Sequence, residues 1–418
     1  MDVRIKPGKL KGNVVIPPSK SLAHRAIIAA SLAKGKSIIS NIQYSQDILA
    51  TIAGMEALGA KITKYDDYLE IEGSKVKRVS SVIDANESGS TLRFLIPIAL
   101  VSSEKITFTG HNRLVKRPLE IYYDLFDKQN IKYSHPEDSY LPLEIEGGLK
   151  PQTYEVRGDV SSQFITGLLF TLPLLDGDSQ IVITTKLESK GYIDLTLDIL
   201  RLFGIEIEFK DNLISIKGNQ EYKATNYRVE GDFSQSAFFL LANMLGNDIT
   251  LEGLNLNSYQ GDKKILDDIK AFGGCIEVSG DKLKAIPTKL IPADISFAQS
   301  PDLGPALTVL ASTVEGKSHF YDAARLRIKE CDRITAMRLE LEKLGGKIVE
   351  FDSGMDIYGA KLHGGEVLSH NDHRVVMALT MLSTIIDEDL VIKGAEAINK
   401  SYPNFFEVIK SLGGNICE

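Results

Sequence analysis

Cationic side chains cluster in a few polar turns of this sequence, each beside a stretch of apolar residues that favours a helix. The first turn, residues 17–25, carries Lys20, Ser21 and Arg25. A helix start is a natural anion site, because its free N–H groups and the positive end of its dipole both face the ligand. The cations of the other turns are Arg93, Arg113, Lys116, Arg117, Arg325, Arg327, Lys329, Arg333, Arg374 and Lys400. The pattern therefore predicts binding of small anions.

Each turn taken alone has a plain structural explanation. Residues 88–91 read Ser-Gly-Ser-Thr, a sequence that caps a helix more often than it binds phosphate. Segment 325–333 alternates charged and apolar residues, which is usually a solvated face. The turns nevertheless fall at equivalent points of a repeat of about 70 residues. Equivalent points of a repeated fold tend to share one face, so we expect these cations to converge on one cleft.

Two carboxylates stand among the cations. Asp302 lies near a predicted helix start, and Glu330 directly follows Lys329. An acid at a helix start is usually a cap, whereas a carboxylate inside a basic cleft can act as a general acid or base. The residues alone leave both interpretations open.

Other chemistries find little support in the sequence. It contains no glycine-rich dinucleotide or Walker loop, no Gly-x-Ser-x-Gly elbow and no His-Glu-x-x-His pair. The spacing of Cys275, Cys331 and Cys417 fits neither a disulfide framework nor a zinc site. We therefore expect no metal, no cofactor and a reducing compartment.

The composition bounds the class of protein. The chain has 418 residues, of which 43% are hydrophobic and 25% charged, with a net charge of −8. This length predicts two or three domains with sizeable cores. The charge excludes nucleic acid and anionic membrane surfaces as partners, but not small anions, because the cations are concentrated in the turns. With no secretory hydrophobic stretch at residues 1–6 and no run of about 18 apolar residues, we expect a cytoplasmic protein.

An apolar helix-like stretch that ends at a glycine or asparagine recurs along the chain. The six cap positions are 59, 130, 204, 273, 345 and 413. The polar turns keep the same period, which indicates six repeats of helix, strand, helix and strand pair. The inner helices are too apolar to be surface helices, so sheets must wrap around them. Six units predict two similar domains, with the break near residue 228.

At these residues the chain resembles the 5-enolpyruvylshikimate-3-phosphate synthases (3-phosphoshikimate 1-carboxyvinyltransferases), which are enolpyruvyl transferases. The resemblance covers essentially the whole chain. The motifs that carry it lie at 18–25, 88–93, 116–118, 161–164, 189–194, 301–303, 329–333, 372–374 and 400. It implies an α/β fold of two similar inside-out barrel domains, each of three βαβαββ repeats, with the active site in the interdomain cleft. One domain would comprise 1–18 plus 228–418 (repeats 4–6), and the other 19–227 (repeats 1–3).

The resemblance also implies a reaction and a set of site residues. The family transfers the enolpyruvyl group of phosphoenolpyruvate to the 5-hydroxyl of 3-phosphoshikimate, by addition and elimination, without metal or cofactor. The residues implied to bind 3-phosphoshikimate are Lys20, Ser21, Arg25, Ser161, Ser162, Gln163, Ser189, Asp302 and Lys329. Those implied to bind phosphoenolpyruvate are Lys20, Gly89, Arg117, Gln163, Arg333, Arg374 and Lys400. Asp302, Glu330 and Lys20 would be catalytic, and the family suggests a monomer.

Two positions depart from some family members. Glu87 and Arg325 stand where others have Asn, which leaves a contact of Arg325 with 3-phosphoshikimate open. Gly89 leaves room for a larger analogue, so we expect inhibition by glyphosate, competitive with phosphoenolpyruvate. One alternative is a UDP-N-acetylglucosamine enolpyruvyltransferase, which typically has a Cys in the loop that is 111–118 here. The other is a non-catalytic anion-binding repeat protein.

Overall fold

The structure is a computed structural model, and it describes residues 1–417. The chain divides into two compact units. One unit joins Met1–Ser19 to the chain from Glu230 onward, and the other is Lys20–Val229. The expected division, at 18/19 and 227/228, differs from this one by one and two residues. The difference arises because Tyr227–Arg228 pairs with a strand of the Lys20–Val229 unit.

Two strands open the chain, β1 (Asp2–Lys6) and β2 (Lys11–Val15). The Lys20–Val229 unit then contains six helices and twelve strands. Its helices are α1 (Lys20–Leu32), α2 (Gln46–Ala57), α3 (Gly89–Ala99), α4 (Glu120–Gln129), α5 (Ser162–Thr171) and α6 (Lys190–Leu202). Its strands are β3 (Gly35–Ser40), β4 (Lys61–Lys64), β5 (Tyr68–Gly73), β6 (Val82–Asp84), β7 (Ile106–Thr109), β8 (Lys132–Ser134), β9 (Leu143–Glu146), β10 (Thr153–Val156), β11 (Ser179–Ile183), β12 (Ile207–Lys210), β13 (Leu213–Ile216) and β14 (Tyr227–Arg228).

The other unit repeats this plan. Its helices are α7 (Phe233–Met244), α8 (Ile265–Ala271), α9 (Gly304–Thr313), α10 (Arg333–Lys343), α11 (His373–Leu382) and α12 (Phe405–Ser411). Its further strands are β15 (Asp248–Glu252), β16 (Gly274–Ser279), β17 (Lys282–Pro287), β18 (Asp294–Ser296), β19 (Lys317–Tyr321), β20 (Lys347–Phe351), β21 (Gly354–Tyr358), β22 (Gly365–Leu368), β23 (Leu390–Lys393) and β24 (Asn415–Cys417). Short 3-10 turns occupy Asn112–Lys116, Leu172–Leu174, Gly261–Lys264, Pro301–Leu303, Ala324–Ile328 and Ala395–Lys400.

The described strands form six four-stranded sheets with one shared topology. In each sheet two parallel strands lie beside an antiparallel pair, as in the order β6-β7-β9-β8. Each sheet belongs to one βαβαββ repeat, so the predicted six repeats are confirmed. Strands from other parts of the chain complete three of the sheets: β14 pairs with β3, β2 with β15, and β1 with β23 and β24. This pairing explains why the N-terminal residues belong with the second half of the chain.

The first helix of each repeat lies in the interior of its unit. Every residue of α7 and of α11 is buried, and α3 and α5 each leave one residue partly exposed. Helices that are apolar all round must be covered on every side, and here the sheets cover them. Each unit thereby encloses its own hydrophobic core.

The six predicted cap positions all have the backbone conformation that ends a helix. Their φ angles are +106° at Gly59, +54° at Asn130, +80° at Gly204, +83° at Gly273, +89° at Gly345 and +95° at Gly413. Glycine and asparagine adopt this left-handed region at little cost, which explains why they recur at the cap.

Candidate active site

The polar turns begin the inner helices as predicted, and in several of them a side chain caps the helix. The Ser88 hydroxyl accepts a hydrogen bond from the Thr91 N–H at 3.1 Å, and that of Ser161 accepts one from the Gln163 N–H at 3.3 Å. In the other unit Asp232 and Asp372 cap α7 and α11 in the same way. The capping interpretation is therefore correct for Ser88. It leaves the next residue, Gly89, available for contact with a ligand.

Lys20, at the start of α1, is held by a carboxylate that the sequence analysis missed. The Lys20 Nζ lies 2.6 Å from Asp47 Oδ2, and both side chains are largely buried. Asp47 lies in the first turn of α2, where an acid is commonly found for its favourable interaction with the helix dipole. Nothing in the sequence distinguishes this acid from an ordinary helix-start acid. The contact with Asp47 fixes the direction of the Lys20 ammonium group, and a side chain that acts on a bound ligand must be oriented in this way.

Gly89 lies against the guanidinium of Arg117. A Cβ atom added at Gly89 would lie 2.5 Å from the Arg117 Nη1, closer than side chains tolerate. Arg117 follows the 3-10 turn Asn112–Lys116 and is only 8% exposed. The two predicted phosphoenolpyruvate residues of this pair are therefore neighbours in the structure.

Gln163 is oriented by two neighbours. Its Oε1 accepts a hydrogen bond from Arg93 at 2.7 Å, and its Nε2 donates to the Ser90 hydroxyl at 3.0 Å. Arg93 also donates to the Pro118 carbonyl at 3.0 Å and stacks over Phe164. Arg93 thus links the starts of α3 and α5 to the loop that carries Arg117.

Arg25 is deeply buried, with 1% of its surface exposed. Its guanidinium donates to the carbonyls of Ser21 and Tyr192, at 2.7 and 3.0 Å, and to the Thr196 hydroxyl at 2.8 Å. Burial lowers the pKa of Arg25 to about 10. These contacts tie the Ser21 turn to α6, whose preceding residue is the buried Ser189.

Ser161 and Ser162 begin α5 beside Gln163, with Ser162 buried and Ser161 partly exposed. The Lys20–Val229 unit thus contains one group of predicted residues at the starts of its helices. The members of this group are Lys20, Ser21, Arg25, Gly89, Arg117, Ser161, Ser162, Gln163 and Ser189.

The second unit gathers three cations around Asp302. The Asp302 carboxylate lies 3.2 Å from Lys329 Nζ, 2.8 Å from Arg333 Nη1 and 3.1 Å from Arg374 Nη2. Ser300 occupies the N-cap position of the 3-10 turn Pro301–Leu303, two residues before Asp302. Asp302 is therefore not the capping residue, and its carboxylate instead faces the cations.

The charges of this cluster shift the pKa values of its members. Burial would raise the pKa of Asp302, but the positive charges of Arg374, Lys329 and Arg333 outweigh it and hold the pKa well below its ordinary value. Burial lowers the pKa of Lys329 to about 8, against the opposing effect of Asp302. The carboxylate is thus ionised, and Lys329 is poised to titrate just above neutral pH.

Arg333 is shared among three acids. Besides Asp302 it binds Glu330 at 2.8 Å and Asp372 at 2.8 Å. Asp372 also caps α11 by accepting from the backbone N–H of Arg374 at 2.8 Å, so it both orients the Arg333 side chain and begins the helix that carries Arg374. The sequence analysis missed Asp372, since an Asp before an apolar helix predicts only a cap.

Lys400 lies at the end of the 3-10 turn Ala395–Lys400 and is 3% exposed. Its Nζ donates to the Asn371 carbonyl at 2.6 Å, which brings it to the same turn as Arg374. The second group of predicted residues is therefore contiguous within its unit. It comprises Asp302, Lys329, Glu330, Arg333, Arg374 and Lys400.

Some of the predicted cations point elsewhere. Lys116 is exposed and donates to the Asp138 carbonyl. Arg327 binds Asp332 at 2.8 Å. Arg325, in contrast, is buried, donates to the Ala298 carbonyl at 3.5 Å and lies close enough to Lys329 for its charge to lower the Lys329 pKa. The acid Glu87 accepts a hydrogen bond from Asn112 at 3.0 Å. The position of these residues within the repeat is as predicted, but that position does not determine the direction in which each side chain points.

A buried acid, Asp262, adds to the second group. It accepts a hydrogen bond from the Ser234 hydroxyl. Burial and the charge of Asp302 raise the pKa of Asp262 to about 6, although Arg374 opposes this. The Gln-Gly-Asp sequence at 260–262 suggests no role by itself.

Within residues 1–417, no group of three or more His, Cys, Asp and Glu is arranged to hold a metal, and no helix is long and apolar enough to cross a membrane.

Comparisons with known proteins agree on one family. A family model described as EPSP synthase (3-phosphoshikimate 1-carboxyvinyltransferase) matches residues 5–409. The 3-phosphoshikimate 1-carboxyvinyltransferase of Clostridium perfringens strain ATCC 13124 is 52% identical, over 99% of this chain and 98% of its own length. That of Clostridioides difficile strain 630 is 49% identical, over 100% of this chain and 98% of its own. An EPSP synthase structure from Acinetobacter baumannii superimposes with a TM-score of 0.82 at 26% identity, covering 100% of both chains.

Proposed function

The chain belongs to the EPSP synthase (3-phosphoshikimate 1-carboxyvinyltransferase) family and is an enolpyruvyl transferase of the shikimate pathway, and we propose that it works through the two groups of residues described above. It transfers the enolpyruvyl group of phosphoenolpyruvate to the 5-hydroxyl of 3-phosphoshikimate and releases phosphate. The observation on which the assignment of roles depends is Asp302, a partly buried carboxylate in contact with three cations. It combines a base with anion-binding groups at one point.

The first group supplies most of the contacts for 3-phosphoshikimate. Hydroxyl groups and N–H groups at helix starts suit a phosphate, and the helix dipole adds to the attraction. The proposed residues are Lys20, Ser21, Arg25, Ser161, Ser162, Gln163 and Ser189, joined by Lys329 and Asp302 of the second group.

Phosphoenolpyruvate is a smaller anion with a carboxylate and a phosphate. Arginine forks match such planar oxygen pairs bidentately. The proposed residues are Arg333, Arg374 and Lys400, with Lys20, Gly89, Arg117 and Gln163 from the first group. Arg333 and Arg374 now bind Asp302, so an incoming anion would take over charges that the carboxylate balances.

This exchange suggests how Asp302 becomes a base. Once the substrate anions neutralise Arg333, Arg374 and Lys329, the pKa of Asp302 is no longer held down, and the carboxylate can accept the 5-hydroxyl proton. The freed oxygen attacks the enol carbon of phosphoenolpyruvate while Glu330 delivers a proton to the methylene carbon. The methyl group then returns its proton to Glu330, which regains its protonated form, while phosphate departs and takes up the proton held by Asp302, so that both carboxyl groups are restored. Lys20, oriented by Asp47, stabilises negative charge at the reacting centre.

The pH dependence of binding tests the role of Lys329. Its pKa of about 8 means that the free protein loses this positive charge as the pH rises through 8. We expect the Kd for 3-phosphoshikimate to rise by up to about tenfold per pH unit above 8, measured by calorimetry between pH 7 and 9.5. The variant Lys329→Arg should keep its affinity over this range, because arginine stays charged. Parallel pH profiles for the two proteins would contradict the assignment.

A phosphate-release assay with both substrates tests the reaction itself. We expect turnover with 3-phosphoshikimate as acceptor and none with UDP-N-acetylglucosamine, since the loop 111–118 has no Cys. Turnover with the sugar nucleotide would favour the sister activity. Tight binding of both anions without phosphate release would favour a non-catalytic anion-binding protein.

We also propose that the protein is a cytoplasmic monomer. The support is chemical: Cys275, Cys331 and Cys417 are all free thiols, which suits a reducing compartment. Light scattering of the purified protein should give a mass near 46.0 kDa.

A further inference from the structure

A strained turn leads into helix α11. Between the end of β22 and the start of the helix, two consecutive residues have left-handed backbones, His370 with φ of 49° and Asn371 with φ of 55°. Asparagine reaches this region at little cost, but a histidine does so at an energetic cost. Such a conformation persists only where surrounding contacts hold it. The contacts of this turn therefore indicate what it is for.

Glu340, in the middle of α10, holds both sides of the turn. Its Oε1 receives a hydrogen bond from His370 Nε2 at 2.6 Å, and its Oε2 receives one from the Leu368 N–H at 2.9 Å. Lys343 also donates to Oε2, at 2.6 Å. The carboxylate is 1% exposed. Burial would raise the pKa of Glu340, but these three donors hold it below its ordinary value, so the group is charged.

Asn371 and Asp372, at the end of the turn, contact cations that are proposed to bind phosphoenolpyruvate. The Asn371 carbonyl accepts from Lys400 Nζ at 2.6 Å. The next residue, Asp372, binds Arg333 Nε at 2.8 Å and the Arg374 N–H at 2.8 Å. One short segment thus contacts the charged groups of Arg333 and Lys400 and leads directly into the helix that carries Arg374, and Glu340 contacts two residues of that segment.

We propose that Glu340 and His370 are positioning residues that set the affinity for phosphoenolpyruvate by holding the turn at 368–372 in its left-handed conformation. Neither residue is assigned to a substrate. The inference rests on the proposed function, which assigns Arg333, Arg374 and Lys400 to phosphoenolpyruvate. Most residues assigned to 3-phosphoshikimate lie in the other unit, so the effect should fall on one substrate.

Two variants break the contact in different ways. Glu340→Gln keeps the side-chain size but removes the charge that His370 and Lys343 bind. His370→Asn removes the imidazole while keeping a residue that tolerates the left-handed region. For each variant we expect the KM for phosphoenolpyruvate to rise about tenfold, because supporting contacts set the position of binding groups. The KM for 3-phosphoshikimate should stay within about twofold of wild type, since a uniform loss of binding is not expected.

Glu342→Gln is the matched control. Glu342 lies on the same helix and binds Arg338 at 2.8 Å, but its side chain is 39% exposed. Both KM values should remain at the wild-type level. The double variant Glu340→Gln/His370→Asn should be no worse than the poorer single variant, because both changes break one contact.

Three results would overturn the proposal. An unchanged KM for phosphoenolpyruvate in both variants, with wild-type turnover intact, would remove the pair from substrate binding. Equal losses for both substrates would also contradict it, as would the failure of both variants to fold, which would make the pair structural. A wild-type protein that turns over neither substrate would instead contradict the proposed function, so the two failures are distinguishable.

Discussion

Replacement of Asp302 with Asn is expected to lower kcat by at least about 10²-fold, the scale for loss of a general base. Asparagine has nearly the same shape as aspartate but cannot take the 5-hydroxyl proton. The contacts with Lys329, Arg333 and Arg374 make the carboxylate the negative centre of its unit's group. The loss should therefore appear in the chemical step.

Binding should move in the opposite direction to turnover. The neutral side chain of the Asp302→Asn variant leaves three cations less well compensated, so anions should bind at least as tightly as before. We expect the Kd of phosphoenolpyruvate, measured by calorimetry, to stay equal or to fall. A residue that only maintained the structure would weaken both turnover and binding.

Asp248→Asn provides a matched control for this change. Asp248 also lies beside two lysines, Lys284 and Lys11, but its side chain is 50% exposed on strand β15. Its kcat should be unchanged. Near-normal turnover of Asp302→Asn would remove Asp302 from the mechanism.

Replacement of Gly89 with Ala is expected to lower kcat/KM for phosphoenolpyruvate by about 10²-fold, because misplacing a binding group by about 1 Å has effects of this size. The added methyl group would lie 2.5 Å from Arg117 Nη1 and 2.8 Å from its Cζ, so the guanidinium must move. Arg117 is 8% exposed, which limits the directions in which it can go. Affinity for 3-phosphoshikimate should change little, since Gly89 is not assigned to it.

Gly8→Ala is the control, since a Cβ atom at Gly8 would meet no atom within 4 Å and the kinetics of this variant should be unaltered.

The same pair of variants tests the expected inhibition by glyphosate. The wild type and Gly8→Ala should be inhibited competitively with phosphoenolpyruvate, and Gly89→Ala less strongly. Absence of inhibition of the wild type at millimolar concentration would contradict the expectation.

Several features followed from local patterns. The second helix of each repeat ends at a residue with positive φ, so glycine or asparagine recurs at 59, 130, 204, 273, 345 and 413. A helix that is apolar on all sides is buried in a core, and the polar turn before it marks where the helix begins. These properties depend on residues within a few positions of one another. The repeat, the fold class and the location of the polar turns could therefore be predicted.

The pairing of side chains that are distant in the sequence could not be predicted in this way. Asp47 and Lys20 are 27 residues apart, and Arg374 and Asp302 are 72 apart. Whether such groups touch depends on how the inner helices pack, which no local pattern encodes. For the same reason, the sequence did not predict that Arg25 is buried or that Glu340 contacts the turn before α11.

The sequence by itself determined the six repeats, their cap residues and the turns that carry the charge, because each is a local property of the backbone. Only the tertiary structure showed that Asp302 is not a helix cap and that it contacts three cations, and its catalytic role remains our proposal. Ser300 fills the cap position, and packing of α9, α10 and α11 brings three cations from distant turns to the carboxylate. A charge acquires its chemical character from its neighbours in space, and those neighbours are set by the folding of the whole unit.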